Sequence, residues 1–150
     1  HAGAANNVIP GTATMELSVR ALDRDVRDLL EKRIREIAQA QASSYGCTAT
    51  VDYQRRYSVL VNTKAETDFA RQVALDLVGA EQVLLEREPI TGSEDFAFML
   101  EKVPGCYLYL GNGDGPDSRM CHHPGYNFND ANMGVGSAYW VALTERYLKD

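Results

Sequence analysis

Histidine and cysteine are scarce in this 150-residue chain, three of each, and their placement excludes more than it offers. Cys47, Cys106 and Cys121 are odd in number and widely spaced, which argues against a disulfide framework and against the paired Cys-x-x-Cys knuckles of a zinc finger. Reduced thiols are the expectation, with Cys47 and Cys106 acting as small hydrophobes. His1 stands apart while His122 and His123 are adjacent, so the histidines alone cannot surround a hydrolytic metal ion, which takes three or more protein ligands. No run of about eighteen apolar residues is present, which speaks against a membrane-spanning helix. The residues after His1 lack the basic, apolar and small-residue regions of a signal peptide. A cytoplasmic location is therefore expected. Basic residues are dispersed, as in Arg33-Ile34-Arg35 and Arg55-Arg56, within a net charge of −6. Neither nucleic acid nor a membrane surface is an expected partner. The chain also lacks a Gly-rich phosphate loop, a Gly-x-Ser-x-Gly elbow, a kinase signature, a fixed-period repeat and any low-complexity tract.

What is present is the composition of a globular protein, 45% apolar and 24% charged, long enough to bury a real core. Val8-Ile9 precedes Pro10-Gly11, which suits a type II turn with positive φ at the glycine. Thr12 to Arg20 then alternates, with Ala13, Met15, Leu17 and Val19 on one face, and predicts a strand. Asp23 is placed as an N-cap for a helix carrying Val26, Leu29, Leu30, Ile34, Ile37 and Ala38 at helical spacing and ending near Ser43-Ser44. Gly46 precedes a further alternating run, Thr48 to Tyr53. Strand, strand, helix, strand predicts a compact α+β unit, an antiparallel sheet covered by a helix.

The pattern changes between Arg56 and Val61, where a domain boundary is expected. A helix from about Ala65 to Val78, with Phe69, Val73, Ala74 and Leu77 inward, is ended by Gly79. A strand near Gln82 to Leu85, a Thr91 to Asp95 loop, a short helix Phe96 to Glu101, an apolar strand Cys106 to Leu110 and an exposed 111–116 loop follow. A last helix, capped by Asp130, runs from about Ala131 to Leu148 with Val135, Tyr139, Leu143 and Tyr147 on one side. This second stretch fits part of an α/β layer better than a whole fold.

Few residues could carry chemistry, and each has a plain alternative. His122 and His123 sit where a strand has ended and a side chain can enter a cleft; otherwise they are an exposed loop pair, and adjacent residues seldom ligate one ion. Ser93 and Glu94-Asp95 fit a helix start, either as cap and dipole partners or as a place where N–H groups and the Ser93 hydroxyl hold a substrate carboxylate. Arg20 ends a strand on its polar face, as a solvated arginine or as a bidentate clamp. A small metal-binding protein using Cys121, His122 and Asp130 is one rival reading, and a non-catalytic α+β dimerisation module is another.

Four motifs in order narrow the choice: Asn7-Val8-Ile9-Pro10-Gly11, Ser18-Val19-Arg20, Gly92-Ser93-Glu94-Asp95-Phe96, and His122-His123-Pro124-Gly125-Tyr126-Asn127-Phe128-Asn129-Asp130. Together they resemble the dinuclear-metal amidohydrolases of the aminoacylase and carboxypeptidase type, in the branch of hippurate hydrolase, N-acyl-L-amino-acid amidohydrolase and auxin-conjugate hydrolase. The resemblance covers essentially the whole chain. It implies that residues 1–57 are the latter part of an α+β lid, often the homodimer surface, and that residues 58–150 are the C-terminal part of an α/β/α catalytic domain. It implies hydrolysis of N-acyl amino acids or small peptides with two divalent ions, zinc, manganese, cobalt or nickel. His122 then matches a metal-binding histidine, and His123 a neighbouring position filled by various residues. Asn7 and Arg20 match lid positions that contact substrate, and Gly92 and Ser93 the loop that meets its carboxylate end. Glu94 and Asp95 belong to the branch signature. The remaining ligands, the glutamate general base and an oxyanion-steadying lid histidine would all precede His1, so the resemblance implies no catalytic base in this chain and no activity by itself.

Overall fold

The computed structural model describes residues 1–113, 115 and 118–149. Four α-helices carry the regular structure: α1 Arg24–Ser44, α2 Lys64–Val78, α3 Phe96–Leu100 and α4 Ala131–Tyr147, with a 3₁₀ turn at Ala80–Gln82. The chain divides into two compact units, 1–59 and 60–150. Part of the expected 111–116 loop lies outside the described residues.

The α+β and α/β expectation is corrected. Among the described residues there is no strand; the only β pairing is an isolated antiparallel bridge between Ala2 and Ala13, where His1 and Thr14 exchange backbone hydrogen bonds at 2.7 and 2.8 Å. Among the described residues neither the antiparallel sheet expected before residue 57 nor a sheet layer after it forms. Alternation marks a segment able to cover one face, but a strand exists only when a neighbouring backbone supplies N–H and C=O partners. The 12–20 run forms no ladder beyond that isolated bridge among the described residues, and its apolar side stays open, with Met15 85% and Leu17 67% exposed. Gly11 is not among the residues with positive φ, so the type II turn is also absent; the left-handed residue nearby is Gly3, φ 66°.

In the first unit α1 forms as its sequence dictates. The Asp23 carboxylate accepts the Val26 N–H at 2.9 Å. At the other end Gly46, φ 68°, lets Gly46 N–H reach Ser43 O and Cys47 N–H reach Ala42 O, the paired bonds of a Schellman stop. The unit holds no fully buried residue. Instead an ionic cluster fastens the 51–55 segment to α1. Arg35 donates to Val51 O at 2.7 Å and to Glu31, lies over the Tyr53 ring, and Arg55 donates to both Glu31 and Asp28.

Glu31 is the centre of that cluster, and its hydrogen bonds from Arg55 and then Arg35 hold its pKa below the ordinary 4.5. A carboxylate with a depressed folded-state pKa stabilises above its unfolded value and loses that contribution as pH falls through the folded one. Glu31→Gln is therefore expected to speed hydrogen exchange in α1 and in residues 47–55 at neutral pH. The difference from wild type should shrink as pH falls below the ordinary 4.5; an equal difference at neutral and acid pH would count against the cluster.

The second unit has a small core, built where α2 meets α4. Ala70 and Val73 of α2, Ala97 of α3 and Tyr139 of α4 are its buried residues. The Tyr139 hydroxyl donates to Ala70 O at 3.1 Å, Phe69 and Tyr147 rings meet edge to face, and Arg146 pairs with Asp76. Phe69 and Ala74 are half-buried as expected, whereas Leu77 and Val135 stay exposed. Asp130 does not cap α4 with its side chain; the Asn129 carboxamide accepts the Ala131 N–H instead.

Candidate functional site

Two asparagines organise the second unit by doing with side chains what a strand does with peptides. The Asn62 carboxamide donates to Tyr107 O and accepts Tyr107 N–H, both at 2.8 Å. Next to it, Thr63 N–H donates to Gly105 O at 3.0 Å and the Thr63 hydroxyl accepts Gly105 N–H at 2.9 Å. Asn112 repeats the device: it donates to Asn127 O at 3.1 Å and accepts Asn129 N–H at 2.8 Å. This clamp closes the base of the loop that carries His122 and His123. Asn132, from the first turn of α4, donates to Gly111 O and ties that base to the helix.

The loop tip is a pair of consecutive turns. His123 N–H donates to Met120 O at 3.1 Å, and Tyr126 N–H to His123 O at 2.9 Å. His122 is the third residue of the first turn, the position where positive φ is required in a type II turn, and has φ 71°. It is the one non-glycine residue with positive φ among the described residues. Its side chain is exposed, and neither ring nitrogen makes a hydrogen bond among the described residues. His123 differs, because its Nδ1 accepts the Gly125 N–H at 2.9 Å. Burial first, and then the neighbouring Cys121 thiol to which it hydrogen-bonds, push the Tyr126 hydroxyl pKa up.

The Thr91–Asp95 segment leads into α3, which is only five residues long and begins after Asp95, whose side chain does not cap it. Gly92 and Ser93 are exposed and Glu94 is half-buried. Burial, then the nearby Glu94 carboxylate and a hydrogen bond to it, raise the Tyr107 pKa. Glu94 is thus engaged with the segment that Asn62 clamps, and the Tyr107 ring stands between Phe96, 5.6 Å away, and Tyr109, 5.4 Å away.

Asn7 and Arg20 belong to the other unit. Asn7 is exposed in a turn, and exposed Arg20 donates from Nε to Ser18 Oγ at 3.1 Å. Within the second unit, His122 sits at the clamped loop tip and Gly92-Ser93 precede α3.

Among the described residues no group of three or more His, Cys, Asp or Glu side chains could hold a metal ion. The exposed His122 imidazole has no hydrogen-bond partner among the described residues. Among the described residues Cys121, His122 and Asp130 do not form such a group. Asn62, Asn112 and Tyr107 escaped the sequence reading; an asparagine inside or beside a strand-like run is the signal that marks two of them.

The sequence matches the family described as peptidase family M20/M25/M40 over residues 4–146. It is 33% identical to hippurate hydrolase of Campylobacter jejuni over 149 residues, 99% of this chain and 38% of that protein. It is 33% identical to IAA-amino acid hydrolase ILR1-like 4 of Arabidopsis thaliana over 152 residues, 97% of this chain and 34% of that protein. To N-acetylcysteine deacetylase of Bacillus subtilis it is 30% identical over 142 residues, 95% of this chain and 36% of that protein. The chain therefore spans 34–38% of the length of these relatives. No solved structure matches it. No helix among the described residues is long and apolar enough to cross a membrane.

Proposed function

The chain belongs to peptidase family M20/M25/M40, and on that premise we propose that it is the C-terminal portion of a metal-dependent amidohydrolase that cleaves the amide bond of N-acyl amino acids. The observation that carries this reading is the shared chemistry of its relatives' names. Hippurate hydrolase, IAA-amino acid hydrolase and N-acetylcysteine deacetylase each act on an acyl group joined to an amino acid. Small peptides are the neighbouring substrate class.

Enzymes of this family are typically dinuclear, and divalent ions such as zinc, manganese, cobalt or nickel supply an acidified water and a polarised carbonyl when bound. Of the donors, this chain contributes His122, whose imidazole is held at a loop tip with both nitrogens uncommitted. Asn7 and Arg20 would contact the substrate from the 1–57 lid portion, the guanidinium as a carboxylate clamp. Gly92 and Ser93, within the 58–150 portion, would meet the substrate's carboxylate end with backbone N–H and hydroxyl donors. With one metal donor and no general base assigned here, the chain by itself is inactive in this reading. The exposed apolar side chains of the first unit, Ile9, Met15, Leu17 and Ile37 among them, support a homodimer formed through the lid portion. Three free cysteines support a reducing, cytoplasmic setting.

The test is hydrolysis of N-benzoylglycine by the longer protein that carries this chain, loaded with zinc, manganese or cobalt. Release of benzoate and glycine that stops on chelation, with none from the 150 residues alone, is the expected result. A metal-loaded longer protein that leaves every N-acyl amino acid intact would sink the reading, and a stable dimer binding no metal would favour the non-catalytic module.

A further inference from the structure

The backbone of His122 is held in a conformation its own chemistry disfavours. Left-handed φ crowds the Cβ of an L residue, and glycine or asparagine is the ordinary occupant of the third position of such a turn. A residue stays there only when its surroundings over-determine it. The surroundings of His122 are the two turns that share His123: Met120 to His123, and His123 to Tyr126. His123 belongs to both, giving its N–H to the first, its carbonyl to the second, and its ring nitrogen Nδ1 to Gly125 N–H at 2.9 Å.

That last contact decides what the His123 ring can do. With its Nδ1 lone pair taken by the Gly125 N–H, the ring is tied to the loop's own backbone. The ring also fills the space a side chain at residue 125 would need, since a Cβ on Gly125 would lie 3.3 Å from His123 Nδ1 and 3.4 Å from Cε1. His122 shows the complementary arrangement, exposed and with both nitrogens uncommitted.

We propose that His123 is a positioning residue: its imidazole, seated on Gly125 N–H, locks the double turn that holds His122 in the left-handed region and so sets the direction in which the His122 ring is presented. The consequence for metal rests on the proposed ligand role of His122; the lock itself does not. An asparagine at 123 can place its Oδ1 where Nδ1 stands, because asparagine side chains accept the N–H two residues on in the same way. Alanine cannot.

Zinc affinity, measured by competition with a chromophoric chelator, separates the possibilities in the longer protein. His123→Ala is expected to weaken zinc binding about tenfold, as loss of an orienting partner does. His123→Asn should stay within about threefold of wild type, and at saturating zinc both should keep the wild-type KM. Histidine-selective ¹⁵N spectra of the metal-free protein should show an unprotonated, hydrogen-bonded Nδ1 on His123. The proposal is overturned if His123→Ala binds like wild type, if His123→Asn is as weak as His123→Ala, or if Nδ1 carries the proton. A His122→Gly protein that keeps its zinc would instead remove the ligand role of His122. The lock then stands or falls on Gly125 amide exchange, expected slow in wild type and His123→Asn and fast in His123→Ala.

Discussion

Replacing Tyr139 with alanine is expected to lower the stability of the 60–150 unit by about 3–5 kcal/mol, the range for emptying a buried aromatic site. Domains hold only about 5–15 kcal/mol in total, so a loss of this size leaves the unit close to its unfolding midpoint. Tyr139 is large enough to matter because the core is so small: it is 8% exposed and joins Ala70, Val73 and Ala97, none of which is bulky. Its ring fills the junction of α2 and α4, and its hydroxyl fixes their register on Ala70 O. Tyr139→Phe keeps the ring and should cost only about 1 kcal/mol, the typical net worth of one hydrogen bond.

The hydroxyl also gives an alkaline signature. Burial, with a smaller part from the Cys106 thiol, raises the Tyr139 pKa above its ordinary 10.0. A group whose folded pKa is raised stabilises fully below its unfolded value and loses that stability as pH rises through the folded one. Wild type should therefore weaken above about pH 10 more than Tyr139→Phe does. Urea unfolding followed by fluorescence of Trp140, whose ring lies 6.0 Å from Tyr139, checks both points. A Tyr139→Ala midpoint equal to that of wild type would refute this account of the core.

His122→Gly is expected to cost the longer protein more than a hundredfold in metal affinity, beyond the roughly 10–100-fold that loss of an outer-shell partner brings. Glycine makes the test clean. At φ 71° the substitution removes backbone strain along with the imidazole, so the variant should be at least as stable as wild type. Metal content by atomic emission and the thermal midpoint of the metal-free protein separate the two effects. Full metal content with unchanged turnover would remove His122 from the ligand set. Lost metal accompanied by a lowered metal-free midpoint would mean that the imidazole supports the fold rather than the ion.

Part of this molecule was legible because it is local. Asp23 followed by helical apolar spacing gave α1 its start and an end near Ser43-Ser44, and Gly79 ended α2, since helix ends are settled within a few residues. The four ordered motifs were enough to place the chain among the amidohydrolases, which its match to the peptidase family supports. The strands were misread because alternation describes one chain and a sheet needs two. In 12–20 and 48–53 the alternating residues are there, and in 106–110 the apolar run, but among the described residues they form no ladder beyond the one bridge at Ala13.

Tertiary structure alone decided which side chains took over that work. Asn62 reaches a residue 45 positions away and Asn112 one 17 positions away, separations at which no periodicity reports contact. Asp130 lost the cap of α4 to Asn129, a choice the two adjacent acceptors leave to geometry. The adjacent histidines show the division most clearly. Adjacency alone could not tell the two rings apart; the double turn does, because Gly125 N–H donates to Nδ1 of His123 while His122 has no hydrogen-bond partner among the described residues. A hydrogen bond has one donor and one direction, and only folded backbone can say which ring it meets.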